Sequence, residues 1–314
     1  MTLRLSGSVW VRVLVTAAVL ILLASRIDLR ATWAALARLD PTLTVVVVLL
    51  MIADRAAMIY RWIILLRARG AAISAGSATS IYLVSAFVGG YTAVAGDAAR
   101  AYALSRHIAQ GSLAVASVAV DRLLGMLSIL IVALAGVSIA GSRMTGNVGP
   151  VFTAAGAVLA AGSAAILLAD HWLPRALPRA WRHSRLGGQM LRVANSLGAY
   201  RGHHLAIAVV LALSIGVQLL RILQAYFLGR AIGIDVPFTY YLLFMPAGLI
   251  ALMLPISLAG FGAPQGLIVW LLRPRGVPVS DALALSTLIV LSGILANLPG
   301  GWLYLASGRS GSTE

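Results

Sequence analysis

Seven apolar stretches of this chain are long enough, or nearly so, to cross a bilayer, and they fix the solvent in which it folds. They lie near 9–25, 42–66, 113–140, 149–169, 205–229, 238–258 and 282–305, against the roughly 20 residues that cover about 30 Å of hydrocarbon. Lipid offers no partner to backbone N–H and C=O groups, so runs of this length satisfy them internally, as helices. Composition agrees: 61% of the residues are hydrophobic and 11% charged, where soluble domains average about 45–50% and about 25%. The expected fold is an all-α, polytopic integral membrane bundle, a single membrane domain over residues 1–314. Arg4 and Arg12 ahead of an apolar stretch from Val13 to Ala24 imitate a signal peptide. The stretch is read as a retained span, with Arg12 reaching the interface.

Two further regions are apolar but interrupted. Residues 81–96 read IYLVSAFVGGYTAVAG and run into a short polar-ended helix, GDAARAYALSR, at 96–106. Residues 254–276 read LPISLAGFGAPQGLIVWLLRPRG, where Pro255, Gly260, Gly262 and Pro264 break a span ahead of a helix of about ten residues. Non-helical backbone at membrane depth survives only where protein or a water-filled cavity satisfies it, so each break predicts a buried cavity rather than a lipid-facing loop. The breaks occupy corresponding places, each followed by a short helix, an Arg-bearing loop and a span that opens on small residues. This is a weak internal repeat, and paired interruptions of that kind point to a binding site near the midplane. The plainer account is that Gly and Pro are common in membrane helices and pack against small neighbours.

The basic residues number 24, all of them Arg, against 9 acidic ones, for a net charge of +15. Such a surplus favours anionic partners, yet the basic bias of cytoplasmic loops explains most of it without a ligand. If both interrupted regions re-enter from the cytoplasm, seven full crossings remain, with fourteen arginines on that side, six on the other and the N-terminus inside. Counting residues 73–95 as a span gives eight, and decides whether the repeat is parallel or inverted. The one long polar segment, 174–204, interleaves Arg and His with Trp181, Leu186, Met190 and Leu197. It reads either as a cytoplasmic connector or as a surface helix touching anionic lipid, and it is too short and too poor in aromatics for a nucleic-acid domain.

Ionisable groups in lipid cost at least about 2.5–3.5 kcal/mol each, so each marks a candidate site. Asp54, Arg55 and Arg61 fall in the second span, Asp97 and Arg100 at the first break, Asp121 and Arg122 in the next span, and Arg221 in the fifth full one. Five Arg against three Asp leave two guanidinium charges over, which suits a cavity for a phosphate-bearing ligand. Asp97 and Arg100 share a helix face, although Asp97 could equally cap its helix. Asp121 and Arg122 point to different sides and should pair with other elements. Gln218, Arg221 and Gln224 form one polar stripe. Arg61, Arg67 and Arg69 are read as snorkelling to the interface.

There is no Cys, no His–carboxylate pair at metal spacing, no G-x-S-x-G and no Walker-type loop. The pattern of phosphatidyl-transferases that use CDP-alcohols also fails: Gly96-Asp97 opens it, but Gly111 and Asp121 lack the following metal-binding carboxylate. The chain is therefore expected to be no enzyme and to need no cofactor or metal.

Residues 87–130, FVGGYTAVAGDAARAYALSRHIAQGSLAVASVAVDRLLGMLSIL, resemble the first signature of the lysylphosphatidylglycerol synthase transmembrane family, and 254–305 resemble its second. The resemblance covers nearly the whole chain. It implies a flippase-like, multi-pass protein of the bacterial inner membrane that moves or handles anionic or modified lipids, aminoacylated phosphatidylglycerol and polyprenyl-linked lipids among them. Its carry-over falls on Gly96, Asp97, Arg100, Asp121 and Arg122, and on Pro255, Gly260 and Gly262. The chain departs from the pattern at Gly90 and Ala93, where Asn and Pro are usual, and at Pro264-Gln265, where Arg-Glu is usual.

The expected function is transport of an anionic lipid whose phosphate binds Arg100, Arg122 and Arg221. Asp97 and Asp121 would orient those arginines or bind a cationic substituent, and Gly96, Gly260, Gly262 and Gln265 would complete the site. The rivals are an intramembrane transferase acting on a phospholipid or polyprenyl-phosphate, and a non-catalytic partner of a lipid-biosynthetic enzyme.

Overall fold

The computed structural model describes residues 37, 39–90, 93–140, 148–182, 184–253 and 263–306. The expected span near 9–25 and the second break, with Pro255, Gly260 and Gly262, lie outside them. The helices are α1 (Pro41–Ala68), α2 (Ala75–Gly89), α3 (Ala93–Ser105), α4 (Gly111–Ala140), α5 (Val148–Leu167) and α6 (Ala169–Ala176). After them come α7 (Arg179–Arg182), α8 (Arg185–Gly198), α9 (His204–Ala231), α10 (Phe238–Met253), α11 (Ala263–Leu272) and α12 (Val279–Ala306). Among the described residues there is no strand. Starts are set by local chemistry: Asp40 caps α1 ahead of Pro41 by accepting from the Leu43 N–H, and Ser74 caps α2 through Ser77. Four of the helices, α1, α4, α9 and α12, are long and apolar enough to cross a membrane, or five if α5 and α6 form one bent span. The protein is a multi-pass membrane helix bundle.

The internal repeat is present, and it is inverted. Each half consists of a long helix, a helical hairpin and a second long helix: α1, α2/α3, α4 and then α9, α10/α11, α12. The equivalent helices α1 and α9 form the largest packing contact of the bundle. They run in opposite directions along it. The Asp40 N–H donates to the Ala231 carbonyl at 3.2 Å, Arg221 meets Asp54, Arg61 meets Ser214, and the Tyr200 hydroxyl reaches the Leu65 carbonyl at 3.3 Å. Rising numbers on one helix thus meet falling numbers on the other. The halves are also interleaved, because α12 packs on the hairpin arm α2 and α4 packs on the hairpin arm α10.

Both interruptions are hairpins. At about 1.5 Å per residue, the 15 residues of α2 and 16 of α10 fall short of about 30 Å of hydrocarbon. In the first, Ala78 and Leu104 pack together at the open end, while Gly89 and Gly96 touch near the tip. A Cβ on Gly96 would lie 2.6 Å from the Gly89 Cα and 2.8 Å from the Ser85 carbonyl oxygen, so the arms meet backbone to backbone. In the second, Tyr240 of α10 donates to the Leu271 carbonyl of α11 at 2.5 Å, and Arg275 stacks over its ring. Two expectations are corrected. Helix α10, the described part of the expected span 238–258, lies back against α11, and the two hairpins enter from opposite ends of the bundle, where the count of seven crossings has both entering from one. Arg273 and Arg275 accordingly lie at the end away from the 174–204 linker.

That linker is structured. The axis bends by 75° between α5 and α6, and α8 is an amphipathic helix whose Ala194 and Leu197 are buried, Leu197 against Leu113 and Ala116 of α4, while Leu186 and Met190 stay exposed. Asp170 pins the layer: Arg201 donates to its two oxygens at 2.7 and 2.5 Å, and also to the Leu167 carbonyl. The Arg201 fork holds the Asp170 carboxyl down at about 2. Its unfolded value is about 3.9, so this contribution is complete above pH about 4 and is lost as pH falls towards 2. Protection of the α6 and α8 amides, measured as exchange relative to the intrinsic rate at each pH, should fall between pH 4 and 2 in the wild type. In Asp170→Asn it should be low at both values; protection that stays constant across this range in the wild type would refute the assignment.

Candidate functional site

A polar cavity of about 270 Å³ opens between the two halves, walled by α1, α2, α3, α4, α9, α10 and α12. Every ionisable residue that the sequence placed inside the membrane reaches it except Asp54, which stands directly behind, bonded to Arg221.

Asp121 is the centre. It is 2% exposed, and Arg100 Nη1 donates to its Oδ2 at 2.9 Å while Arg61 Nε lies 2.8 Å from Oδ1. The Arg61 contact is close but too poorly aligned to count as a hydrogen bond, so it is an ion pair held by charge. Arg61 turns its Nη1 to the Ser214 hydroxyl of α9 at 2.9 Å. Arg100 lies over the faces of Trp62 and Tyr82, at 5.3 and 5.0 Å from their centroids, where both π faces favour a cation. Its Nη2 donates to Asp97 Oδ1 at 3.2 Å, and Arg122 donates through Nε and Nη2 to Asp97 Oδ2 at 2.8 and 2.6 Å. A chain of alternating charge thus runs Arg61, Asp121, Arg100, Asp97, Arg122 across the cavity wall.

On the other side Arg221 Nε donates to Asp54 Oδ1 at 2.9 Å. Arg55 Nε is 4.0 Å from the second Asp54 oxygen and has no hydrogen-bond partner. Gln218, 3% exposed, donates to Ser128 at 3.2 Å, and its amide oxygen is unpartnered; so is the side-chain oxygen of Asn297 on α12. Buried polar atoms are costly without partners, and these three line the cavity.

Several expectations meet this geometry. Gly96, Asp97, Arg100, Asp121, Arg122 and Arg221 do line one cavity. Asp121 and Arg122 turn to different partners, as their adjacency implied. Asp97 does not act as a helix cap: α3 begins at Ala93, one turn earlier than expected, and the carboxylate is engaged by Arg100 and Arg122. Arg61 does not snorkel; it is 4% exposed and paired with Asp121. No arginine of the five is left without a carboxylate, since each Asp is shared, and the surplus of two charges is spread over the whole cluster. Gln265 stands apart, donating to Thr287 of α12 at 3.3 Å, and Gly260 and Gly262 lie outside the described residues. Sequence reasoning missed Asn297, whose signal was a lone amide inside an apolar span, and the aromatic pair around Arg100. Among the described residues no group of three His, Cys, Asp or Glu is placed to hold a metal ion.

The chain belongs to the family described as the lysylphosphatidylglycerol synthase TM region, whose model matches residues 9–300. No curated protein and no solved structure shows significant similarity to it.

Proposed function

We propose, with that family membership as premise, that the protein is a lipid transporter whose midplane cavity receives the phosphate of an anionic lipid. The observation that carries this reading is the five-to-three excess of guanidinium over carboxylate around one polar cavity. An arriving phosphate accepts bidentately from such groups and offsets the unbalanced charge. Arg55, whose Nε has no hydrogen-bond partner, and Arg221 are its first partners, because Arg61 and Arg100 are already committed to Asp121. Inverted halves with broken helices around a midplane site fit alternating access, in which one half rocks against the other. The arginines of the linker, with Arg67, Arg69 and Arg106, outweigh Arg230, Arg273 and Arg275 at the opposite end, which supports the reading that the linker end faces the cytoplasm of a bacterial inner membrane.

The transferase reading needs a carboxylate free to accept a proton, and all three here already accept from guanidinium groups. Liposomes containing the purified protein and a fluorescent phospholipid or polyprenyl-phosphate test the proposal. Wild type should move the lipid well above empty vesicles. Arg55→Gln and Arg221→Gln should each slow it at least about tenfold, the equivalent of one charge-assisted hydrogen bond of about 1.5–3 kcal/mol. Translocation no faster than in empty vesicles would overturn it.

A further inference from the structure

A second and larger space, about 970 Å³, runs along the outer faces of α3 and α4 and is closed off by α8 and by Ile166 of α5. On α3 its lining recurs at helical spacing from Val94 to Ser105, and on α4 from Gly111 to Met126. At about 1.5 Å per residue the α4 wall is about 22 Å long. One end lies beside Arg192 of the linker helix. The other ends at mid-membrane on Asp97, Arg122 and Met126, and those three residues also line the polar cavity. The two spaces therefore share a wall, and its polar part is a single ion pair.

We infer that this groove holds the hydrocarbon chain of the lipid whose phosphate enters the polar cavity, and that the Asp97–Arg122 pair is the gate the headgroup displaces between them. The inference rests on the transport reading above and adds a route and a gate to it.

The occupant follows from the walls. Between the charges at its two ends, Asp97 with Arg122 and Arg192, the groove carries no acidic or basic residue among the described ones. Its apolar lining is uncovered, with Val94 78% exposed and Tyr102 and Val115 also exposed, so it suits an alkyl or prenyl chain and no headgroup. Continuity with the cavity makes it the chain of the same molecule.

The gate follows from the shared residues. Arg122 is the most exposed of the five cavity arginines, with 37% of its side chain accessible, and Asp97 follows at 27%. Among the described residues Arg122 is held by Asp97 alone, through two hydrogen bonds to one oxygen. A phosphate has more acceptor oxygens than that and can take Arg122 over while Asp97 keeps Arg100. The pair thus closes the wall in the absence of an anion and opens in its presence, and no charge is left bare at either stage.

The test uses the full-length protein in phosphatidylcholine vesicles with a lipid phosphate carrying a photoactivatable diazirine in its chain. A neutral diacylglycerol with the same diazirine chain is the comparison. Crosslinks from the phosphate probe should map to residues 94–105 and 111–126 at least about tenfold above the neutral probe. Val115→Trp and Val94→Trp, each filling the groove from an exposed position, should reduce both that labelling and transport about tenfold. Using two variants from facing helices guards against the failure of one to fold. Equal labelling of the groove by both probes would overturn the inference, because the groove would then be an ordinary lipid-facing surface. Transport that depends on Arg221 while crosslinks fall elsewhere, or that survives both Trp variants, would overturn it and leave the transport reading standing. Absence of both transport and Arg221-dependent labelling would remove the transport reading itself, and this inference with it.

Discussion

Asp121→Asn is expected to destabilise the protein by about 3–5 kcal/mol, the usual cost of removing one partner from a buried ion pair. Asp121 meets two guanidinium groups at once, Arg61 and Arg100, and all three residues are buried. Neutralising it leaves two cations in the interior with only Asp97 nearby. Asp97 is itself shared with Arg122. The neutral amide oxygen can still accept a hydrogen bond, but it does not cancel the charge. In detergent, thermal unfolding should fall by about 10 °C on the usual scaling for a chain above 150 residues. Asp97→Asn should cost clearly less, because its carboxylate is partly solvated. The double variant Asp121→Asn/Arg61→Met should recover part of the loss, since it removes one of the stranded cations and substitutes apolar volume. An Asp121→Asn protein that unfolds with the wild type would show that the cluster contributes nothing to the fold.

The same cluster shows what is readable in the sequence. Charges inside apolar runs are visible in one dimension, so the positions of Asp97, Arg100, Asp121, Arg122 and Arg221 along the chain are enough to gather them as one candidate site. Arg61 reads as interfacial because its depth along α1 says nothing about which helix faces it; Ser214 and Asp121 arrive from elements 60 residues away and more. The sense of the repeat is equally out of reach. Parallel and inverted halves differ by whether an interrupted region crosses or turns back, and a Gly-rich break serves either purpose. The pairing of Asp40 with Ala231 and of Asp54 with Arg221 settles it. The site's apolar partners, Trp62 and Tyr82 around Arg100, are hidden for a simpler reason. In a chain of this hydropathy an aromatic residue is unremarkable until a cation is found against its face.

Gly300→Ala and Gly136→Ala should each damage the fold. Both contacts join the two halves: α12 crosses the hairpin arm α2 at Gly300, and α4 crosses the arm α10 at Gly136. A Cβ at Gly300 would overlap the Leu83 carbonyl oxygen, and one at Gly136 the Leu242 carbonyl oxygen. Both obstacles are backbone, so no rotamer change relieves them and the helices must separate, at about 1–3 kcal/mol or somewhat more. Asn297 lies one turn from Gly300, and α2 carries Tyr82 and Ser85 into the same cavity wall. Separation there should therefore loosen the cavity and slow transport as well as lower the unfolding temperature. Gly216 and Gly293 supply the control: they too are helical, but nothing lies within 4 Å of an added Cβ. Ala at either should be neutral or gain up to about 1 kcal/mol from helix propensity. Thermal unfolding of the four variants in detergent separates the cases. Equal behaviour of Gly300→Ala and Gly293→Ala would mean that α12 does not rest on α2 at close range. If both clamps are real, the two halves fail in the same way, which is what an inverted repeat requires of its two equivalent contacts.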